Sequence, residues 1–185
     1  MAESIHQQRL FIGIPLPSFF VNTLTEVQSA NLHINKIRWT PSQNLHVTLY
    51  FLGNTITSEI AGVIHQLEGV ARKMAPFELV FHQYQLAPKR RPYMIWATFQ
   101  PNASFVQLAK AIDAVFNVER NLKDPRAHIT LARFKYLQNP SRLVLPSGAN
   151  TPEIAVSQMI LWASVLKPEG PIYTSLHAFD LGEKR

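Results

Sequence analysis

Two short stretches of the chain carry residue types that can move protons and hold an anion: His46-Val47-Thr48-Leu49 and His128-Ile129-Thr130-Leu131. Successive side chains of a β-strand point to opposite faces. In each tetrad the histidine and threonine therefore share one face, chemical in character, and the two aliphatic residues share the other, which belongs to a core. A lone His-x-Thr in an apolar run is most simply a half-buried strand histidine beside a hydrogen-bonding neighbour. Its return in the same flanking pattern is better explained by duplication of a supersecondary unit, and it points to a two-histidine active site.

Histidine is the side chain that exists in both protonation states near neutral pH, so a pair can hold one proton between them. Phosphodiester cleavage needs that combination. One group takes a proton from attacking water while another gives one to the departing oxygen, on opposite sides of phosphorus for in-line displacement. Thr48 and Thr130, directed to the same side as their histidines, can each donate a hydroxyl to a non-bridging phosphate oxygen. Arg133 is a further candidate for the anion, although it follows Thr130 by three residues, which in a regular strand places it on the opposite face. It reaches the site only if the strand bends or ends there.

Competing chemistries lack their signatures. A catalytic zinc takes three protein ligands, often with a carboxylate among them, and neither tetrad adjoins a carboxylate at such spacing. No metal or other cofactor is expected. The chain has no cysteine, which excludes disulfides, thiolate catalysis and Cys-based zinc sites. It also has no G-x-S-x-G, P-loop or Gly-rich dinucleotide fingerprint. The chain has 185 residues, 46% of them apolar, which suffices for one cored domain or two small lobes sharing a core. A net charge of +6 and a pI near 9.8 favour an anionic partner such as phosphate or nucleic acid. The N-terminus lacks a secretory h-region and no apolar stretch is long enough to span a bilayer. A cytoplasmic protein acting as a monomer, with no membrane partner, is expected.

The elements that must position the tetrads recur. Leu10–Ile14 reads as a buried strand stopped by Pro15 and Pro17, and residues 18 to about 32 as an amphipathic helix. Ile37–Thr40 suits a brief strand before the first tetrad, whose apolar run closes on Gly53. Thr57 is a candidate N-cap for a helix carrying the stripe Ile60, Val63, Ile64, Leu67, Val70, Ala71 and Met74. Phe77–Phe81 alternates as a strand, and Pro88-Lys89-Arg90-Arg91-Pro92 reads as an exposed loop that either steers RNA or is merely solvated. Tyr93–Phe99 then reads as a strand and residues 103 to 118 as a helix before the second tetrad. Residues 140–152 suit a connecting loop, and Ile154–Ser164 and Ile172–Leu181 two strands joined through residues 167–171. Strand, helix and His-strand thus occur twice, with the histidines 82 positions apart. The expectation is an α+β fold: one bilobal, pseudo-twofold domain over residues 1–185, with units of about 9–83 and 92–182. Two mainly antiparallel sheets face a central cleft, with helices outside.

With these residues in view, the chain resembles a known family. The paired tetrads, the opening Arg9-Leu10-Phe11-Ile12-Gly13-Ile14-Pro15-Leu16-Pro17, the extensions Tyr50-Phe51-Leu52-Gly53 and Ala132-Arg133, and the C-terminal Ser164, Gly170 and Tyr173 are similar to the RNA 2',3'-cyclic phosphodiesterases. These are the LigT-like two-histidine phosphoesterases, historically called 2'-5' RNA ligases. Ala127 stands where the family usually has proline, with Pro125 two residues earlier. The resemblance implies metal-free hydrolysis of a terminal 2',3'-cyclic phosphate to a 2'-phosphate. His46 would be the proton donor to the 3' oxygen, His128 the base that activates water, and Thr48, Thr130 and Arg133 the phosphate holders. In 2'-5' ligation acid and base would exchange roles. The expected substrate is an RNA end or a small cyclic nucleotide, and a module that binds RNA or nucleotides without turnover is the alternative. Tyr173 is the favoured base-stacking aromatic over Phe11 and Phe51. His6, His33, His65, His82 and His177 lack the tetrad context and are unassigned.

Overall fold

The computed structural model describes residues 6–116, 125–135, 140–146 and 153–182. The elements in chain order are β1 (Gln7–Pro15), α1 (Ser18–Ala30), β2 (Arg38–Trp39), β3 (His46–Ile56), α2 (Ile60–Arg72), β4 (Phe77–Leu79), β5 (Phe81–Ala87), β6 (Met94–Phe99), α3 (Ala103–Val115), β7 (His128–Arg133), β8 (Ile154–Val156), β9 (Gln158–Lys167) and β10 (Gly170–Asp180). Both tetrads are strand, as their alternation requires. The end of the helix expected at 117–118 and the loop expected over 147–152 lie outside the described residues.

Among the described residues, eight strands form one sheet in the order β10-β9-β1-β3-β7-β6-β5, with β2 also beside β7; β4 and β8 form a second, two-stranded sheet. The pairings are antiparallel. The α+β class is as expected, but the two sheets anticipated for the two lobes are joined into one. The join is slight: β3 and β7 are paired only at Val47↔Ile129, the residue after each histidine. The β9–β10 hairpin, from the stretch assigned by sequence to the second unit, pairs through β9 with β1.

One side of this sheet is covered by helices because the aliphatic face demands it. Val47, Leu49, Ile129 and Leu131 share a core with Phe20 and Leu24 of α1, Leu67 of α2, and Leu108 and Ile112 of α3. Phe20 meets the rings of Phe81 and Phe99, so α1 supports β5 and β6. In turn α3 packs on β3, and α2 on β9 and β10. Asn102 caps α3 by accepting from the Phe105 N–H at 2.8 Å.

Three local expectations are corrected. Thr57 is not an N-cap: its hydroxyl donates to the His6 carbonyl at 2.9 Å, a 3-10 turn spans Thr57–Glu59, and α2 starts at Ile60 without a side-chain cap. Phe77–Phe81 is not one strand. The chain leaves β4 at Val80 and enters β5, the Val80 carbonyl accepting from the Gln100 N–H instead. Likewise Ile154–Ser164 breaks at Ser157, whose carbonyl accepts from Leu181. Both breaks occur where the chain passes between the small and the large sheet, which alternation within a stretch cannot reveal. The first tetrad's strand also continues past Gly53, which adopts φ 78° beside a bulge.

Ile129 is fully buried at the bridge that joins the two halves. Ile129→Ala is expected to cost about 2–5 kcal/mol, read as a lowered midpoint in urea unfolding.

Candidate active site

The antiparallel register through Val47↔Ile129 makes a pseudo-twofold arrangement. In that register Thr130 lies across from His46, and His128 across from Thr48, all four on the face away from the helices. The two histidines are held alike. His46 Nδ1 lies 2.7 Å from the Asn44 carbonyl oxygen and His128 Nδ1 lies 3.0 Å from that of Arg126. A carbonyl only accepts, so each Nδ1 carries the proton and each ring turns Nε2 toward the site. Thr48 Oγ1 donates to His46 Nε2 at 3.0 Å. The Thr130 hydroxyl takes no partner among the described residues, while its backbone carbonyl accepts from Thr40 Oγ1 at 2.8 Å.

Arg133 reaches the same face because of a β-bulge. In the β6–β7 ladder Ile95 pairs with Ala132 and Trp96 with Thr130, which leaves Leu131 extra. Leu131 and Ala132 are both fully buried and Arg133 is exposed, so the bulge resets the alternation and returns Arg133 to the histidine side. Its Nη1 lies 3.0 Å from Met94 Sδ. The β1–β3 ladder has the equivalent irregularity. Ile12 pairs with Tyr50 and Gly13 with Thr48, leaving Leu49 extra. Each bulge falls three residues after its histidine. The residue five after His46, matching Arg133, is Phe51, which is 63% exposed and lies 5.9 Å from Phe11.

The ring environments of the histidines differ. His128 stacks on Trp96 with centroids 4.0 Å apart and planes 28° apart. The position matching Trp96 on β1 is Gly13, opposite Thr48. A methyl at Gly13 would lie 2.7 Å from the Val47 carbonyl oxygen, 3.1 Å from the Trp162 ring and 3.2 Å from His46 Cδ2. Glycine is therefore required for the close approach of the two strands and of the His46 ring. His46 is enclosed by Phe11 at 4.9 Å, Tyr173 at 5.5 Å and Trp162 at 5.6 Å. Tyr173 belongs to the far end of the β9–β10 hairpin, which is tied to the site where Asn44 Nδ2 donates to the Pro171 carbonyl at 2.7 Å.

Burial lowers the pKa of both imidazoles. The bond to Asn44 partly opposes this for His46, and His128 lowers it further. For His128 the bond to Arg126 opposes burial, and Arg133 adds to the lowering. Burial raises the Tyr173 phenol against the pull of Arg133 and Arg9.

All six residues singled out by sequence thus gather on one face: His46, Thr48, His128, Thr130, Arg133 and Tyr173. Sequence reasoning missed Gly13, Asn44, Trp96 and Trp162. A glycine inside an apolar strand was a usable sign of close backbone approach; the others depend on register. Among the described residues no group of three or more His, Asp or Glu side chains could hold a metal. His177 lies 3.6 Å from Glu68 of α2, and His65 is exposed.

A family model described as the 2'-5' RNA ligase superfamily matches residues 21–152. The chain belongs to that superfamily. It is 30% identical to a protein of Aquifex aeolicus named RNA 2',3'-cyclic phosphodiesterase, over 94% of this chain and 97% of the relative. The fold is similar to that of solved structures. The crystal structure of TT0787 of Thermus thermophilus superposes with a TM-score of 0.80 at 30% identity, covering 95% of this chain and all of that one. E. coli LigT in apo form gives 0.77 at 26% identity, covering 96% and 99%. No helix among the described residues is long and apolar enough to cross a membrane.

Two outcomes test this geometry. Gly13→Ala should force β1 and β3 apart beside His46, costing about 1–3 kcal/mol of stability and shifting the His46 ring resonances while leaving those of His128 in place. For pH, both histidines have folded-state pKa values below the ordinary 6.5. The unfolded chain therefore binds more protons below 6.5, and stability rises with pH through that window. Their contribution is complete above 6.5 and is lost as pH falls toward the lowered folded values. Urea unfolding from pH 7.5 to 5 should show the decline, and His46→Gln/His128→Gln should flatten it.

Proposed function

We propose that this chain hydrolyses the terminal 2',3'-cyclic phosphate of RNA to a 2'-phosphate by metal-free acid–base catalysis from its two histidines, acting as one bilobal domain. The observation that carries this reading is the pair of Nε2 atoms presented alike across the Val47–Ile129 bridge, with Arg133 returned to their face by the bulge at Leu131. The relatives named RNA 2',3'-cyclic phosphodiesterase support the substrate class.

His128 Nε2 takes a proton from water as the new oxygen–phosphorus bond forms. The bond from phosphorus to O3' breaks, and protonated His46 delivers its Nε2 proton to that oxygen. The lowered pKa is common to both rings: burial disfavours the cation at each, Arg133 adding to it at His128 and His128 adding to it at His46. One feature supports this polarity. The face of Trp96 offers a cation–π partner to the imidazolium formed when the proton arrives at His128. Thr48, Thr130 and Arg133 hold the non-bridging oxygens, and Tyr173 borders the nucleoside on the His46 side. In 2'-5' ligation a 5'-hydroxyl takes the place of water, so His128 still takes the nucleophile's proton and His46 still protonates O3', contrary to the exchange expected above. Acid and base exchange only when the 2'-5' bond is cleaved back to the cyclic phosphate. Because both histidines come from one chain, a monomer carries a whole site, and an RNA-end substrate fits a cytoplasmic setting.

The test is an RNA oligonucleotide ending in a 2',3'-cyclic phosphate, incubated with EDTA, with 2'- and 3'-phosphate products resolved. The wild type should give the 2'-phosphate. His46→Ala and His128→Ala should each lose about two to four orders of magnitude in rate, and the double variant little more, because the pair acts as a unit. A 3'-phosphate product would reverse the departing oxygen. Binding without product would leave an RNA-binding module.

A further inference from the structure

Beyond Thr130, β7 runs into a concentration of cations of which the hydrolytic step uses only Arg133. Arg38 on β2 and Met94 on β6 flank Arg133 from the two sides. Directly before Met94 comes the β5–β6 loop carrying Lys89, Arg90 and Arg91, all exposed. The loop is held against this strand end: Tyr93 N–H donates to the Ala87 carbonyl at 3.0 Å, and Phe134 N–H to the Tyr93 carbonyl at 2.9 Å. Exposed Lys135 follows on the same strand end. The Arg38 guanidinium extends to the β9–β10 turn, 3.3 Å from where a Cβ on Gly170 would lie.

Among the described residues none of these six cations has a carboxylate within ion-pair distance. Unpaired like charges held together repel one another, and a polyanion relieves that repulsion. Tyr93, 47% exposed, lies between the loop and Met94 and is bonded through its backbone to Ala87 and Phe134. Cations interleaved with an exposed aromatic are the elements of a single-strand platform, the charges following the backbone and the ring stacking a base. The opposite end of the site differs, for the position matching Arg133 there is the apolar Phe51.

We propose that the edge formed by Arg38, Arg133, Lys135, the Lys89–Arg91 loop and Tyr93 is the track along which the body of a single-stranded RNA leaves the site. The protein then selects polynucleotide ends over free cyclic nucleotides. The inference rests on the RNA-end reading above and names the substrate length for the same site. Its discriminating groups lie in the loop, apart from the phosphate-holding residues.

The test compares an RNA oligonucleotide ending in a 2',3'-cyclic phosphate with a nucleoside 2',3'-cyclic phosphate, for wild type and for Lys89→Ser/Arg90→Ser/Arg91→Ser. Loss of three phosphate contacts should lower kcat/KM on the oligonucleotide about tenfold at low salt and make its log–log salt dependence shallower by about 2. Turnover of the nucleoside substrate should not change, which also reports an intact fold. Arg72→Ser/Lys73→Ser, at the end of α2, lowers net charge elsewhere and should leave the oligonucleotide preference in place. Equal losses on both substrates, an undiminished preference in the loop variant, or no preference in the wild type would overturn the track. Anisotropy titration of a dye-labelled RNA ending in a 3'-phosphate needs no turnover and separates the two readings. If the wild type hydrolyses neither substrate but the loop variant binds this RNA about tenfold more weakly, the track stands and the phosphodiesterase reading falls. Unchanged binding would remove the track.

Discussion

The structure depends on one antiparallel bridge, Val47 to Ile129. Each of these residues follows its histidine and precedes its threonine, so their pairing sets two hydrogen-bonding side chains from each strand on one face. The same pairing sets two aliphatic side chains from each strand on the other. A slip of one residue would send the imidazoles into the core and the aliphatic groups to the surface. The core prevents this. Val47, Ile129 and Leu131 are fully buried and Leu49 nearly so, in one core with residues of α1, α2 and α3. The hydrophobic effect thereby fixes the register, and the register fixes where the polar groups stand.

On this symmetric frame, bulges and neighbours make the two halves chemically different. The extra residues Leu49 and Leu131 occupy matching places, and each turns the residue two positions later back toward the histidine face. In one half that residue is Phe51 and in the other Arg133. On the adjoining strands, Gly13 lets the His46 ring settle among Phe11, Trp162 and Tyr173, while Trp96 gives His128 a flat aromatic surface. Duplication accounts for the likeness of the two histidines. Divergence at these few neighbouring positions supports giving them different roles.

Much of this was legible in the chain because the period of two and its repetition are local properties. The tetrads, the helical stripes of α1, α2 and α3, and the face shared by His46 and Thr48 follow from spacing alone. Arg133 marks the boundary of that reasoning. Strict alternation sends it to the wrong face, and only the partner strand reveals that Leu131 is extra. Val80 and Ser157 mark the same boundary, since a switch between sheets depends on which distant strand pairs with each segment. Tyr173 came from resemblance alone. No periodicity could state that a hairpin more than a hundred residues away would be tied to Asn44 and brought against His46.

On the proposed reading, the electrostatics of the empty site and of the loaded site differ in a useful way. Both imidazoles are disfavoured as cations by burial, and one of them also by Arg133. The unliganded pair therefore resists the proton that catalysis needs. A phosphodiester brings one negative charge between the rings. It offsets the influence of Arg133 and favours an imidazolium beside it, since an opposite charge at close range raises a histidine pKa. The proton and the substrate are thus bound cooperatively, and Arg133 attracts the anion whose charge then restores the proton affinity it had reduced at His128. The anchoring of both Nδ1 atoms to backbone carbonyls completes the arrangement, because Nδ1 is already committed as a donor and the exchangeable proton is confined to Nε2, the atom facing the phosphate.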